Sequence, residues 1–192
     1  MLMNRPFVAA QLALPGRNAR REGGFTLFEL IIVIILVAWL AATFFTRVLI
    51  YQEAAEKAAM EQTAGAIRSG LVIQLAGLIT RGSMDDLPKL AAMNPIQVLA
   101  TKPANYVGEF YQPAPGDIPR GSWYYDLKYK HLVYLVARDT YFVPDEYGNK
   151  WVRFRVKMVT NPLFSRIVDG VEKPDYGGLT LEEVKPYAWV IK

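Results

Sequence analysis

The sequence predicts an α+β fold in which a long N-terminal α-helix, membrane-spanning in its first half, packs on a small antiparallel β-sheet. Three patterns in the 192 residues predict this arrangement. Residues 25–46 form one apolar run, residues 60–78 repeat apolar side chains at helical spacing, and alternation with a period of two begins after residue 122. A helix followed by a group of strands is the order expected of an α+β domain.

Composition excludes several classes of site. The chain has no cysteine and a single histidine, His131. These counts rule out disulfides, thiolate zinc sites, iron–sulfur clusters, a cysteine nucleophile and a cluster of histidine ligands. Four arginines and one glutamate give residues 1–24 a charge of +3, which leaves only +1 of the total +4 for the rest of the chain. The basic pI of about 9.2 is therefore weak support for a nucleic-acid partner.

The apolar run is predicted to cross a membrane. With a rise of ~1.5 Å per residue, a helix over residues 25–46 is long enough for a bilayer core of ~30 Å. Arginines precede the run, so the positive-inside rule places residues 1–24 in the cytoplasm. Everything after Arg47 then lies on the far side of the membrane.

Three interpretations of this run compete: a cleaved signal peptide, a plain signal anchor, and a third that must explain two local features of the sequence. A cleaved signal peptide would have a shorter apolar region and a small-x-small site, which residues 38–43 lack. A plain signal anchor does not explain Gly23-Gly24 directly before Phe25, or Glu29 inside the run. A carboxylate at the centre of a spanning helix costs ~2.5–3.5 kcal/mol, and less near its end. Glu29 therefore either has a partner or lies close enough to the headgroups to be tolerated.

The sequence Gly23-Gly24-Phe25-Thr26-Leu27-Phe28-Glu29-Leu30, which follows basic residues, resembles the class III signal of type IV prepilins and type II secretion pseudopilins. The resemblance implies cleavage between Gly24 and Phe25 by a prepilin peptidase, followed by methylation of the new Phe25 amine. It also implies that Glu29 pairs with the N-terminal ammonium of a neighbouring subunit. Two buried charges are tolerable only together, so such a pair would also set the axial register between subunits.

On this resemblance the chain is a pilin-like structural subunit without enzymatic activity or a cofactor. Its expected location is a bacterial inner membrane, with the C-terminal domain in the periplasm, and later a periplasmic or extracellular filament. Its expected partners are the peptidase, membrane lipid before assembly, the inner-membrane assembly platform and other pilin or pseudopilin subunits. The long connector and the absent disulfide favour a minor pilin or pseudopilin.

Two features depart from the common pilin pattern. The leader of residues 1–24 is long, although translation from Met3 would shorten it slightly. No proline occurs between Phe25 and Leu87, whereas many pilins have one near the end of the spanning segment. The alternatives left open are a signal-anchored periplasmic binding module or enzyme, and a DNA-receptor pilin; nucleic acid is the less favoured partner.

The helical pattern continues beyond the membrane segment. Apolar side chains recur three or four residues apart at Met60, Ala64, Ile67, Leu71, Leu75 and Leu78. We therefore predict one helix from about Phe25 to Ile79, with an amphipathic second half over residues 47–79. The charged residues of this half are expected to occupy mostly its other faces; they are Glu53, Glu56, Lys57, Glu61 and Arg68.

Residues 80–121 hold half of the twelve prolines and are predicted to form an irregular connector. Two short helices are expected there, at about residues 84–93 and 95–100. Their N-terminal signals are Ser83-x-x-Asp86, a variant capping box, and Asn94-Pro95.

Residues 122–192 are predicted to form the antiparallel sheet, and residues 47–192 a single periplasmic domain. The expected strands are Trp123–Leu127, His131–Ala137 with an extension at Thr140–Val143, Trp151–Val159 and Tyr187–Ile191. In the third of these, Val152, Phe154, Val156 and Met158 share the apolar face.

No metal site is predicted, since the oxygen ligands that a calcium ion needs do not occur at a known loop spacing. The weak candidates are Asp139, Asp145, Glu146 and Asn149, and weaker still are Asp175, Glu182 and Glu183.

Three further groups of residues each have a functional and a structural interpretation. Arg153, Arg155 and Lys157 share one strand face, which suits DNA or an acidic neighbour but is more typical of a solvated strand. The run Trp123-Tyr124-Tyr125 suits stacking on bases or sugars, but core packing is favoured. His131 is expected to flank a turn rather than to act in catalysis.

Overall fold

The computed structural model describes residues 24–168 and 171–191, except for the side chains at 46, 115, 161–168 and 171–176. The predicted leader thus lies outside the described residues apart from Gly24. The chain divides into two compact units, Met1–Thr43 and Phe44–Lys192.

The predicted long helix is confirmed as α1, Leu27–Arg81. It begins after Thr26, whose Oγ1 accepts a hydrogen bond from the Glu29 N–H at 3.2 Å, as an N-cap side chain does. It ends at Gly82, whose φ of +67° is a left-handed conformation that glycine adopts without strain. The Ser83 N–H then donates to the Leu78 carbonyl and the Gly82 N–H to the Ile79 carbonyl, which is a Schellman C-cap.

The connector contains a 3₁₀ turn at Met84–Asp86, helix α2 at Leu87–Ala92 and a 3₁₀ helix at Pro95–Val98. The prediction of an N-cap at Asn94 is confirmed, because its side chain accepts from the Ile96 N–H at 3.0 Å. The predicted capping box at Ser83 is wrong: its side chain makes no cap hydrogen bond.

The sheet has five strands in the order β1-β2-β3-β4-β5. Their bounds are β1 Tyr106–Phe110, β2 Trp123–Asp126, β3 His131–Leu135, β4 Trp151–Val168 and β5 Val171–Glu183. Strands β2 to β5 pair antiparallel, but β1 pairs parallel with β2. The prediction of a purely antiparallel sheet is therefore wrong, and the sheet is mixed. Residues 111–122 make the return that two parallel neighbours require, since a tight hairpin cannot join them.

Several strand bounds differ from the prediction. β1 lies inside the predicted connector and is short, with Gly108 in its middle at a φ of +123°. β5 was not expected, because it contains Pro174 and two glycines, which an edge strand tolerates and an inner strand does not. The predicted strands Thr140–Val143 and Tyr187–Ile191 reduce to one isolated bridge between Phe142 and Trp189.

The core lies between the second half of α1 and one face of the sheet. All six predicted stripe residues, from Met60 to Leu78, are buried. They pack in one cluster with sheet residues that include Trp123, Tyr125, Leu132, Tyr134, Val152, Phe154, Leu179 and Leu181. Each large apolar side chain buried there stabilises the fold by ~1.5–3 kcal/mol, so the expected pairing of helical stripe and sheet face is confirmed.

Candidate functional site

The N-terminal end of α1 exposes the residues predicted for processing and assembly. Gly24 is exposed, and the Phe25 side chain is 76% exposed. Glu29 lies in the first turn of the helix, where the helix dipole favours a negative charge. Within the described part of the chain, no group bonds to its carboxylate. A carboxylate accessible at a helix start, beside a long apolar surface, is free to meet a cation from outside the chain.

The first half of α1 is exposed among the residues of its own compact unit that the structure describes. From Leu27 to Phe45 every side chain is exposed except that of Ala41, which is half-buried. By length and composition this is a helix that is able to span a membrane, although the same test is passed by some signal sequences. Within this segment the Thr43 hydroxyl donates to the Trp39 carbonyl at 2.7 Å, so this polar side chain is satisfied without water.

The second half of α1 carries an uncharged strip on the face opposite the core. We call this strip the outer seam; its members are Ala55, Ala59, Gln62, Ala66, Ser69, Ile73, Ala76 and Thr80. All of them are exposed, and they alternate at spacings of four and three, which is the 3.5-residue period of helix-on-helix packing. The Ser69 and Thr80 hydroxyls donate to the Gly65 and Ala76 carbonyls, so neither needs water.

Two carboxylates on α1 make hydrogen bonds inside the fold, and one of them, Glu53, lies on the buried face although the sequence predicts it on another face. Glu53 is 2% exposed, and its Oε1 accepts from the Tyr141 N–H and from the Trp189 indole N–H, both at 2.8 Å. It thereby fastens α1 to two segments far along the chain. The signal that would have found it is its position seven residues before Met60, in register with the buried stripe.

Glu56 makes the second fastening. Its Oε1 accepts from the Ala137 N–H at 2.7 Å and from the Tyr134 hydroxyl at 3.0 Å, and its Oε2 accepts from the Arg138 N–H at 2.9 Å. Burial, followed by the nearby Glu56 charge, raises the pKa of the Tyr134 hydroxyl well above its ordinary value. These bonds hold the loop after β3 against the helix.

The C-terminal segment is tied to the same side of α1. The Lys57 ammonium donates to the Trp189 carbonyl and the Arg68 guanidinium to the Leu181 carbonyl, both at 3.0 Å. Tyr187 donates its hydroxyl to Glu61 at 3.2 Å. Charged residues of α1 therefore serve here as structural ties.

The weak calcium candidates bond to other groups instead of converging. Asp139 accepts from Lys150 at 2.6 Å and Arg120 at 3.1 Å, and the Lys150 bond holds the pKa of this carboxyl below its ordinary value. Glu146 pairs with Lys185 at 2.9 Å. Among the described residues, no three histidine, aspartate or glutamate side chains are grouped to hold a metal. The side chain of Asp175 lies outside the description.

Asp145 is occupied by its own loop. Its carboxylate accepts from the Tyr147 and Asn149 N–H groups, both at 2.9 Å, and from the Trp151 indole N–H at 3.0 Å. Burial by itself would raise the pKa of the Asp145 carboxyl, but these donors, with the Asn149 amide, outweigh it and the pKa is lowered.

The basic strand face is largely neutralised within the chain. Glu182 on β5 pairs with Arg155 at 2.6 Å and with Lys157 at 3.0 Å across the two strands. Arg153 instead has its guanidinium over the Trp151 ring, 5.1 Å from the ring centroid. The acidic neighbour considered for this face is thus in part a residue of the same chain.

The aromatic run at the start of β2 is buried, with Trp123 and Tyr124 at 1% and Tyr125 at 4% exposure. The favoured interpretation, core packing, is confirmed for all three residues. His131 is half-buried and stacks on Tyr129 with centroids 6.0 Å apart. Burial, helped by the positive charge of Arg153, lowers the pKa of His131.

Comparison of the chain with protein-family models, with curated proteins and with solved structures gives no match.

Proposed function

We propose that this chain is a pilin-like structural subunit, of the minor pilin or pseudopilin kind, of a type IV pilus or type II secretion pseudopilus. In this proposal it is anchored in a bacterial inner membrane with its N-terminus in the cytoplasm and residues 47–192 in the periplasm. A prepilin peptidase cleaves it after Gly24 and methylates Phe25. It then joins a filament through α1.

One observation carries the proposal: the start of α1 exposes an apolar surface together with a carboxylate, Glu29, that no described group satisfies. When lipid covers that apolar surface, the charged carboxylate has no partner and its burial costs free energy. When other α1 helices cover the surface, the Phe25 ammonium of a neighbouring subunit is available to pair with the carboxylate. An assembly of such helices meets both requirements, whereas in lipid the carboxylate has to stay near the headgroups.

The outer seam supports the same role. Small residues allow helix backbones to approach closely, and Ala66 and Ser69 lie midway along this seam. A solvated helix face of this length ordinarily carries charges, but none falls on the seam between Ala55 and Thr80. The seam is therefore suited to contact another helix once the apolar half of α1 has been assembled.

Intact-mass analysis tests the processing step. In cells with a prepilin peptidase the membrane-extracted chain is expected to begin at methylated Phe25, and without the peptidase to keep its leader. A chain that retains its leader in the presence of the peptidase would leave the signal-anchored periplasmic protein as the better reading.

Assembly is tested with two sets of variants. Glu29→Ala and Glu29→Gln should be processed yet be missing from sheared filaments, while Glu29→Asp is partly incorporated. Gln62→Glu places a charge on the outer seam and should reduce incorporation, whereas Gln74→Glu makes the same change at an exposed position off the seam. Normal incorporation of Glu29→Gln would contradict the charge pair. Equal incorporation of Gln62→Glu and Gln74→Glu would contradict a role of the outer seam in assembly.

A further inference from the structure

The face of the sheet turned away from α1 carries a cleft that the proposed assembly role does not use. Tyr124, Val133 and Arg153 form its floor, on strands β2, β3 and β4. The loops of residues 111–120 and 144–150 rise on either side. They enclose a cleft of about 460 Å³, which we call the outer-face cleft. Ligand sites usually have volumes of ~300–1,000 Å³, so this one is large enough for a sugar ring or a larger group.

Both walls of the outer-face cleft are held in place by carboxylates. On one side Asp126, 7% exposed, accepts from the Lys128 N–H at 2.9 Å and the Gln112 N–H at 3.4 Å. On the other side Asp145 accepts from the Trp151 indole N–H at 3.0 Å. Because these hydrogen bonds already hold the wall residues, binding a ligand costs little conformational entropy, and this favours affinity.

Arg153 and the Asp126 carboxylate both line the cleft, but no ion pair joins Arg153 to a carboxylate among the described residues. The Arg153 guanidinium lies over the Trp151 ring, 5.1 Å from the ring centroid. Its neighbours on the same strand face, Arg155 and Lys157, both pair with Glu182. A guanidinium is able to receive a carboxylate through two parallel hydrogen bonds, and Arg153 has no such partner among the described residues.

Aromatic rings and amides border the same space. The Tyr129 and Tyr147 side chains are 52% and 82% exposed, and they line the cleft together with Gln112 and Asn149. The C–H face of a pyranose ring packs well on an aromatic face, while its hydroxyl edge pairs with amide groups. A ring that is apolar on its faces and polar at its edge therefore matches this lining.

A second depression continues from the first. It measures about 260 Å³, shares Trp151 and Arg153 with the outer-face cleft, and extends to Phe142, Lys185 and Tyr187. Arg153 thus stands between two adjoining cavities. A ligand of several linked rings is able to occupy both and to place an acidic group at their junction.

We propose that the outer-face cleft binds an acidic saccharide, a chain of pyranose rings that bears carboxylates, with one carboxylate on Arg153 and a ring on Tyr147. An extended peptide is disfavoured because β2, β3 and β4 are paired on both sides and offer no free edge for strand addition. A nucleic acid is disfavoured because its affinity depends on several phosphate contacts, and among the described residues Arg153 is the single arginine or lysine that lines the cleft.

Calorimetric titration of the full chain in detergent micelles with short oligogalacturonate tests the proposal. Saturable binding is expected, at least about tenfold tighter than binding of the methyl-esterified oligosaccharide, because the ester cannot accept the charged pair of hydrogen bonds. No saturable binding at millimolar oligogalacturonate, or equal binding of acid and ester, would overturn it. Tighter binding of polyglutamate or single-stranded DNA would also overturn the ligand class.

Matched variants locate the site. Arg153→Gln should weaken binding of the acid by about tenfold or more, whereas Arg155→Gln, on the same strand face but paired with Glu182, should leave it unchanged. Tyr147→Ala should weaken the acid and the ester alike, because it removes stacking rather than charge. Equal losses for the two arginine variants would show non-specific charge attraction instead of this site. The titration uses unassembled chain, so its result does not depend on filament formation.

Discussion

Glu29 and Glu53 lie on one helix but in opposite chemical situations. Glu29 is exposed and has no partner in the described part of the chain, whereas Glu53 is buried and accepts two N–H groups. A satisfied buried carboxylate stabilises the chain's own fold, while an unsatisfied one on an apolar surface points to a partner outside it. Burial and hydrogen bonding, and not residue type, separate the two roles.

Replacing Glu53 should destabilise the folded domain. Glu53→Ala leaves the Tyr141 N–H and the Trp189 indole N–H buried without an acceptor, so we expect the free energy of unfolding to fall by about 2–4 kcal/mol. Glu53→Gln keeps an acceptor and should cost less. Denaturant unfolding of the full chain in micelles measures this, with the exposed Glu61→Ala as the control. Equal losses for Glu53→Ala and Glu61→Ala would contradict the buried tie.

His131 should titrate below its ordinary value of about 6.5. Burial disfavours the charged imidazole, Arg153 and Arg155 add repulsion, and Asp126 opposes them in part. Because this is the single histidine, its ring proton can be followed by NMR without ambiguity. Arg153→Gln should raise the midpoint, whereas Arg120→Gln, whose side chain pairs with Asp139, should not. An unchanged midpoint in Arg153→Gln would mean that the two side chains do not face each other in solution.

At the scale of elements, α1 has three kinds of surface. Its first half is apolar and exposed, its second half buries one stripe against the sheet, and the outer seam on the opposite face is uncharged. Exposing a long apolar helix to water is unfavourable, so the first half needs lipid or other helices around it. The small residues of the outer seam allow another helix to approach closely. The element is therefore built for two sets of neighbours, its own sheet and other helices.

Two glycines of α1 should respond oppositely to alanine. At Gly65 an added Cβ meets nothing within 4 Å, so Gly65→Ala should raise the free energy of unfolding by up to ~1 kcal/mol through helix propensity. At Gly70 an added Cβ would lie 2.7 Å from the Val98 Cγ2 and 3.1 Å from the Val98 carbonyl oxygen. Gly70→Ala should therefore destabilise, because α1 and the Pro95–Val98 helix must move apart. Thermal unfolding of both variants measures the two changes in stability. A stabilising Gly70→Ala would contradict the close approach of Gly70 and Val98.

The strands show which predictions depend on local pattern. β4 was recognised from its alternating side chains, and β2 and β3 from their hairpin. The local pattern does not predict β1 and β5, because Gly108 and Pro174 interrupt them. Their formation depends on pairing with β2 and β4, which lie elsewhere in the chain. A strand at a sheet edge needs little intrinsic propensity when its neighbour already supplies hydrogen-bonding groups.

At the scale of the whole molecule, hydrogen-bonded carboxylates make stability depend on pH. Asp139 joins the segments of Arg120 and Lys150, and Asp145 holds the turn in which it lies. The pKa values of Asp139 and Asp145 are lowered in the folded state. A lowered folded pKa means that the stabilisation is complete above the unfolded value of about 3.9 and is lost as the pH falls through the folded pKa.

Through these two carboxylates the free energy of unfolding should not change from about pH 7 to 5 and should fall below about pH 4. The lowered pKa of His131 adds a smaller decline that begins below about pH 6.5, because the unfolded imidazole takes up its proton first. Asp139→Asn should lower stability at pH 7 and flatten the acid dependence, since its bonds to Lys150 and Arg120 lose their charge. Glu146→Gln, on the exposed surface, is the control. Denaturant titrations at several pH values measure this, and an acid limb that persists unchanged in Asp139→Asn would assign it to other groups.

The candidate sites were foreseeable to different degrees. The exposed start of α1 was predicted from a short motif, because membrane insertion and N-terminal chemistry depend on contiguous residues. The buried role of Glu56 was not predicted, since its partners at Tyr134, Ala137 and Arg138 lie about eighty residues away. The different surroundings of Arg153, which has no carboxylate partner among the described residues, were equally hidden, because the partner of Arg155 and Lys157 is Glu182 on another strand.

By itself the sequence determined the long helix, its apolar first half and the buried stripe of its second half, because each follows from the order of residues along one helix. Only the tertiary structure decided that β1 runs parallel to β2, that Glu53 and Glu56 face inward, and that a cleft forms over the outer face of the sheet. These features arise where distant segments meet, and the free energy of such contacts depends on partners that no local window of sequence contains.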